Sequence, residues 1–237
     1  MKLVTIDPMQ ASYNQQVSHL LVHSFGSKFR FLTGLGHHEL ACQLQQVLES
    51  FPEQHTSQRV VAVQEGKVIG TLSLKWHTQS QANPAPDQGT IWRLVKNLNP
   101  RRAWAMFRFL TGLQILSHTP KHRECYIADV AVHPDFRGKG VGTLLIQWAQ
   151  EYAYTHPLLH YVSLHVAASN SGAQHLYEQH SFRTLEMKHS LLSQLLFGER
   201  MWHYMISQPM QSQSNKGELR AKSSAVTFDL VKGLELN

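Results

Sequence analysis

Cysteine is almost missing from this chain: Cys42 and Cys125 are the only two among 237 residues, too few for the disulfide framework that holds small secreted domains together. A reducing compartment is the expected setting. Long apolar runs are missing as well, none approaching the roughly 20 residues of a membrane-crossing helix. The opening stretch MKLVTIDPMQ lacks the apolar segment of a secretory leader. These absences point to the cytoplasm. Acidic side chains are the minority, 16 against 22 lysines and arginines, so the surface should attract anions. A phosphate-bearing ligand, nucleic acid, an acidic membrane face or an ordinary basic surface would each fit that balance. The basic residues are scattered, with no reading helix or stacking motif, which sets nucleic acid aside.

Histidine is abundant, with 16 residues, so metal ligation must be weighed. His38-Glu39 begins a metalloprotease-like helix, but Cys42 stands where the second histidine belongs. His156 and His160 are four apart, yet Pro157 breaks the helix that would align them. No metal is expected, and His37, His38 and Glu39 read as the exposed polar start of an amphipathic helix.

Leu3–Ile6 reads as a short first strand. Helical periodicity follows around Val17, Leu20, Leu21 and Phe25, and again at Leu40, Leu44, Val47 and Leu48. Val60–Val63 and Val68–Leu74 flank Gln64-Glu65-Gly66-Lys67 and predict an antiparallel hairpin. Residues 77–90 read as a loop and Ile91–Leu98 as a short helix. Pro100 then opens a nearly all-apolar helix in which Trp104, Phe107 and Phe109 stand among Arg101, Arg102 and Arg108. That mixture suits a membrane surface or a partner, and base rates favour a packed lid or dimer element; a homodimer is compatible with it. Further along, strands are expected at Glu124–Val132, Tyr161–Ala167, Phe182–Met187 and Met201–Ile206, and helices at Gly140–Thr155 and Asn170–His180. Leu191–Phe197 reads as a helical turn or two, 208–224 as a polar flexible stretch and Val226–Leu230 as a last strand. The order argues α+β, or α/β with a mixed sheet, as one domain over residues 1–207 followed by a tail over 208–237.

Between Val130 and Gly142 a strand leads into a glycine-bearing loop and a helix. Glycines at 138, 140 and 142 let backbone amides approach an anion, and the helix start adds unpaired donors and the positive end of its dipole. Each amide bonded to a charged group contributes roughly 1.5–3 kcal/mol, so several together could hold a pyrophosphate. Strict alternation of the glycines matches neither the dinucleotide fingerprint nor the P-loop. Val141, Leu145, Trp148 and Tyr152 give the helix an apolar stripe that anchors the loop.

These residues resemble the GNAT superfamily of N-acetyltransferases, whose signature V-x-P-x-x-[RQ]-x-x-G-x-[GA] reads here as Val132, Pro134, Arg137, Gly140 and Gly142. A second block follows in Leu164-His165-Val166, Asn170, Ala173, Leu176-Tyr177 and Phe182. Two features depart from the family pattern: Ser181 replaces the usual glycine before Phe182, and the stretch over 77–120 is longer than the usual link between the third and fourth strands.

The resemblance implies a three-layer α/β arrangement: a mixed, mostly antiparallel central sheet flanked by helices, with a helical insertion between the third and fourth strands. It also implies an acetyltransferase that uses acetyl-CoA as co-substrate and a primary amine of a small molecule or protein as acceptor. The amine attacks the thioester directly, through a tetrahedral intermediate. Amides near Val130 and Val132 would bind the thioester oxygen and pantetheine. The segment Gly138, Lys139, Gly140, Val141, Gly142 and Thr143, with Arg137 before it and Asn170 in the second block, would hold the cofactor. Tyr177 matches the family's acid for the departing thiolate, a role worth roughly 10² to 10⁴ in rate. For the base, His165, Asp129 and a water chain remain open. The alternative is a silent coenzyme A-binding module that uses the helical insertion to hold a partner.

Overall fold

The computed structural model describes residues 3–51, 56–77, 96, 100–191, 193–194 and 198–207. In chain order these form β1 (Thr5–Pro8), α1 (Asn14–Thr33), α2 (His37–Ser50), β2 (Ser57–Gln64), β3 (Lys67–Trp76), α3 (Pro100–Leu116), β4 (Glu124–Val132), α4 (Val141–Thr155), β5 (Tyr161–Ala167), α5 (Ser171–Gln179), β6 (Arg183–His189) and β7 (Met201–Ser207). The readings of Ile91–Leu98 as a helix, 208–224 as a flexible stretch and Val226–Leu230 as a strand lie outside the described residues, apart from Lys96.

The strands form one seven-stranded sheet in the order β1-β2-β3-β4-β5-β7-β6. All neighbours are antiparallel except β4 and β5, which is the mixed, mostly antiparallel sheet expected. The hairpin joining β2 to β3 turns through Glu65 and Gly66, both left-handed with φ of 51° and 74°, a geometry whose twist matches that of paired strands.

Alternation along the strands sends side chains to two different cores. On one face, Val60, Ala62, Leu72, Ile127, Leu164 and Val166 pack with Val141, Leu145, Ile146 and Ala149 of α4. On the other, Val61, Val63, Val68 and Ala131 meet Val17 and Leu21 of α1, Leu40 and Leu44 of α2, and Met106 and Phe109 of α3. Helices therefore cover both faces, giving the three layers expected. α3 is an anchored part of the second core: Phe109 is fully buried and its ring lies 5.0 Å from that of Phe29. Its outer side carries Trp104 and Phe107, exposed and stacked on each other. Periodicity gives a helix's face without naming its neighbour, so the expectation of a packed lid or dimer element did not specify this core.

Candidate active site

β4 and β5 pair in parallel only as far as Ile127 opposite Leu164. Beyond that point Ala128–Val132 and His165–Ala167 have no partner across the gap. The His133 N–H bonds to the Ile69 carbonyl on the β3 side at 2.9 Å. Because successive amides of a strand point in opposite directions, those of Val130 and Val132 face the gap instead.

β4 runs directly into the loop at its open end. Gly138 and Gly140 have φ of 70° and 83°, conformations that L side chains adopt only with strain. Gly140 is the N-cap of α4, whose first amides have no carbonyl behind them. Arg137 fixes the loop by donating from Nε to the Val132 carbonyl at 3.2 Å. Lys139 and Lys67 lie over the Phe136 ring, at 5.3 and 5.8 Å, and add positive charge beside these amides. Gly142 has a different reason: a Cβ there would stand 3.0 Å from Leu176, so glycine lets α5 lie close against α4. Asn170 is the N-cap of α5, accepting from the Ala173 N–H at 3.2 Å. Donors, an open gap and a free path for backbone suit a long phosphorylated thioester such as acetyl-CoA.

Tyr177, on α5, packs against the α4 core beside Phe182, with ring centroids 5.8 Å apart. Burial pushes its phenol up to about 12, so it holds its proton at neutral pH.

The opposite face of the gap is polar. Asp129 is gripped by both terminal nitrogens of Arg59 at 2.7 Å. The Tyr126 hydroxyl lies 3.2 Å from Nδ1 of His165. Burial raises the Tyr126 phenol well above its ordinary value, helped by the charges of Glu124 and Asp129. It therefore remains a protonated phenol, and its contact occupies one ring nitrogen of His165. Burial, with contributions from His118 and Lys188, lowers His165 to about 4.

Beneath this pair sits Glu124, fully buried. Burial would raise its carboxyl, but bonds from His118, the Lys121 N–H, Ser163 and Tyr204 outweigh that and hold it at about 2. The Lys121 amide donates at 2.6 Å, Tyr204 at 2.7 Å and His118 Nε2 at 3.1 Å, while Ser163 donates through its hydroxyl. Lys121 and Lys188 lie over the Tyr204 ring at 5.8 and 5.5 Å.

Sequence reasoning missed Arg59, His118, Glu124, Tyr126, Ser163 and Tyr204. A signal existed for some of them, since Glu124 and Tyr126 on β4, and Ser163 and His165 on β5, alternate with apolar residues of the α4 core. That period of two marks one polar face shared by adjacent strands. Among the described residues no group of three or more His, Cys, Asp or Glu side chains is placed to hold a metal ion, and no helix is long and apolar enough to cross a membrane.

Residues 30–182 match the acetyltransferase (GNAT) family model. Among curated proteins, a spermidine N(1)-acetyltransferase of Vibrio cholerae is 42% identical over 53 residues, 22% of this chain and 31% of that protein. An uncharacterized N-acetyltransferase of Methanocaldococcus jannaschii is 38% identical over 72 residues, 30% of this chain. The matched stretch spans 31% of the length of each of these relatives. Among solved structures, Vibrio cholerae spermidine N-acetyltransferase in complex with CoA and spermine aligns at TM-score 0.54 and 17% identity, covering 87% of this chain and 95% of that one. Arabidopsis thaliana NAA60 in complex with acetyl-CoA aligns at TM-score 0.53 and 17% identity, covering 86% and 97%. At that identity the structural likeness concerns the fold.

Proposed function

Since this chain belongs to the acetyltransferase (GNAT) family, we propose that it is an N-acetyltransferase that moves the acetyl group of acetyl-CoA to a primary amine. One observation carries this reading: the β4–β5 gap opens directly onto the α4 N-terminus, so thioester donors and pyrophosphate donors lie along one continuous track. The amides of Val130 and Val132 stabilise the oxygen on which charge develops, and the amides from Gly138 to Thr143, with Arg137 and Lys139, bind the diphosphate. Tyr177 gives its proton to the departing thiolate. Asp129 steadies Arg59, and His165 lines the polar face of the gap beside Tyr126.

For the acceptor, we favour an amine of low charge on a small molecule or protein over a polyamine. Relatives named for spermidine make a polyamine the first comparison, yet the carboxylates described on this face already have partners: Asp129 has Arg59, and Glu124 has four donors. The lysines over Tyr204 add charge of the wrong sign for a polycation. The two free cysteines, one exposed and one buried, fit a reducing compartment, and we place the chain in the cytoplasm.

Titration calorimetry with acetyl-CoA, followed by thiol release against monoamines, amino-terminal peptides and spermidine, tests the reading. Binding with turnover that falls 10²-fold or more in Tyr177→Phe supports it. Binding without turnover on any amine would leave a silent module, and no binding would overturn the function. Faster turnover of spermidine than of any monoamine or peptide would overturn the acceptor class.

A further inference from the structure

An amine is protonated at neutral pH and must lose a proton before its lone pair can attack. Neither candidate base on the gap is well arranged to take that proton: Asp129 is committed to Arg59, and His165 has one ring nitrogen occupied by Tyr126 while burial holds it down to about 4. His118, which lies between α3 and β4 and belongs to neither family block, has the opposite arrangement.

We propose that His118, oriented by the buried Glu124 carboxylate, is the general base that receives the proton of the acceptor ammonium. Four observations carry this, and it rests on the acetyltransferase reading above. First, Glu124 has only lone pairs to offer when ionised, so the 3.1 Å contact requires the proton on His118 Nε2. Nδ1 is then the basic nitrogen, and among the described residues no hydrogen bond is made to it. Second, the negative charge beneath the ring stabilises the imidazolium that forms, as in any carboxylate–histidine pair. Third, the ring sits at the polar face of the gap, with centroids 4.4 Å from Tyr126 and 5.2 Å from His165. Fourth, the side chain keeps 15% exposure whereas Glu124 keeps none, so a proton accepted inside can leave to solvent.

A purely structural role for His118 explains less. Glu124 is already bonded by the Lys121 amide, Ser163 and Tyr204, which suffices to satisfy a buried carboxylate. The charged and titratable groups around His118 are Glu124 and Tyr126 on β4, His165 on β5, Tyr204 on β7, and Lys121 and Lys188 over the Tyr204 ring.

The steps balance. The ammonium passes one proton to His118 Nδ1, directly or through one water, and the freed lone pair forms the C–N bond. Collapse breaks the C–S bond, and the sulfur takes the Tyr177 proton. The second nitrogen proton, lost as the amide forms, restores Tyr177, and His118 releases its proton to solvent.

The test is the pH dependence of kcat/KM for thiol release in the full chain, for wild type, His118→Gln and Glu124→Gln, with acetyl-CoA affinity measured calorimetrically on each. His118→Gln should lose 10²-fold or more at pH 7 while acetyl-CoA affinity changes less than threefold. Its rate should climb steadily with pH, as free amine accumulates, with no histidine plateau. Glu124 is a positioning residue, so Glu124→Gln, whose amide oxygen can still accept the Nε2 proton, should lower kcat by less than His118→Gln does with KM little changed, whereas loss of packing alone would weaken acetyl-CoA binding as well. An unchanged profile in His118→Gln, or a loss equal at every pH, overturns the proposal while leaving wild-type turnover, and so the acetyltransferase reading, intact. Failure of wild type to bind acetyl-CoA overturns both.

Discussion

Arg59 on β2 reaches across β3 to hold Asp129 on β4 through two contacts of 2.7 Å, one from each terminal guanidinium nitrogen. Register makes this possible: Arg59 stands opposite Ser73, and Ser73 opposite Asp129, so the three lie in one row across the sheet. The pair is mostly shielded, with exposures of 12% and 23%, and its two-pronged geometry is the strong form of the interaction.

Asp129→Asn should therefore lower stability by about 1–3 kcal/mol, read from chemical denaturation, while kcat at saturating substrates changes less than tenfold. A loss of 10²-fold or more in kcat with stability unchanged would make Asp129 the proton acceptor instead.

Gly140→Val places a β-branched side chain at a φ of 83°, where the left-handed conformation costs roughly 1–2 kcal/mol. Relief of that strain would turn the first amides of α4 away from the diphosphate. Acetyl-CoA affinity measured by calorimetry should fall at least tenfold, with far-ultraviolet circular dichroism unchanged; wild-type affinity would show that the loop does not bind the co-substrate.

Ser181 is one departure from the family pattern, and its φ of 63° shows that the turn between α5 and β6 still requires the conformation that glycine supplies. Ser181→Gly should remove this strain and raise stability by roughly 0.5–1 kcal/mol, net of the entropy that glycine adds to the unfolded chain. A decrease in the denaturation midpoint would refute that account.

Stability should fall toward acid in two windows. His165 is lowered by burial from 6.5 to about 4. The unfolded chain thus binds a proton that the folded one refuses, and stability present above pH 6.5 is lost as pH falls toward 4. Glu124 is held at about 2 against 4.5 in the unfolded chain, which continues the loss from pH 4.5 toward 2. The His165 window should amount to roughly 1–3 kcal/mol, and His165→Gln should flatten it in denaturation curves taken from pH 7 to 4. A wild-type curve flat over that range would contradict the buried neutral imidazole.

Much of this was legible before any coordinates. β4 and β5 were readable residue for residue, because both carry a high share of apolar residues between clear breaks in the chain. α1 runs well beyond the periodic stretch that signalled it, ending only where Gly34 turns left-handed at φ 70°, since helix ends depend on caps more than on apolar spacing. Tyr177 and the glycine loop stood out in the sequence because a local motif carries them. Arg59 and Glu124 did not, because their partners Asp129, Ser163 and Tyr204 lie far away in the chain, and His118, though only six residues from Glu124, belongs to no motif.

The sequence by itself determined the elements, the glycine-bearing turn and the family, for these depend on side-chain periodicity and on backbone conformations set within a few residues. Only the tertiary structure decided which ionisable groups face one another. The 70 residues separating Arg59 from Asp129, and the 80 separating Glu124 from Tyr204, are bridged by strand order and register. Burial then removes the water that would otherwise screen those charges, and so decides which group holds a proton and which can take one.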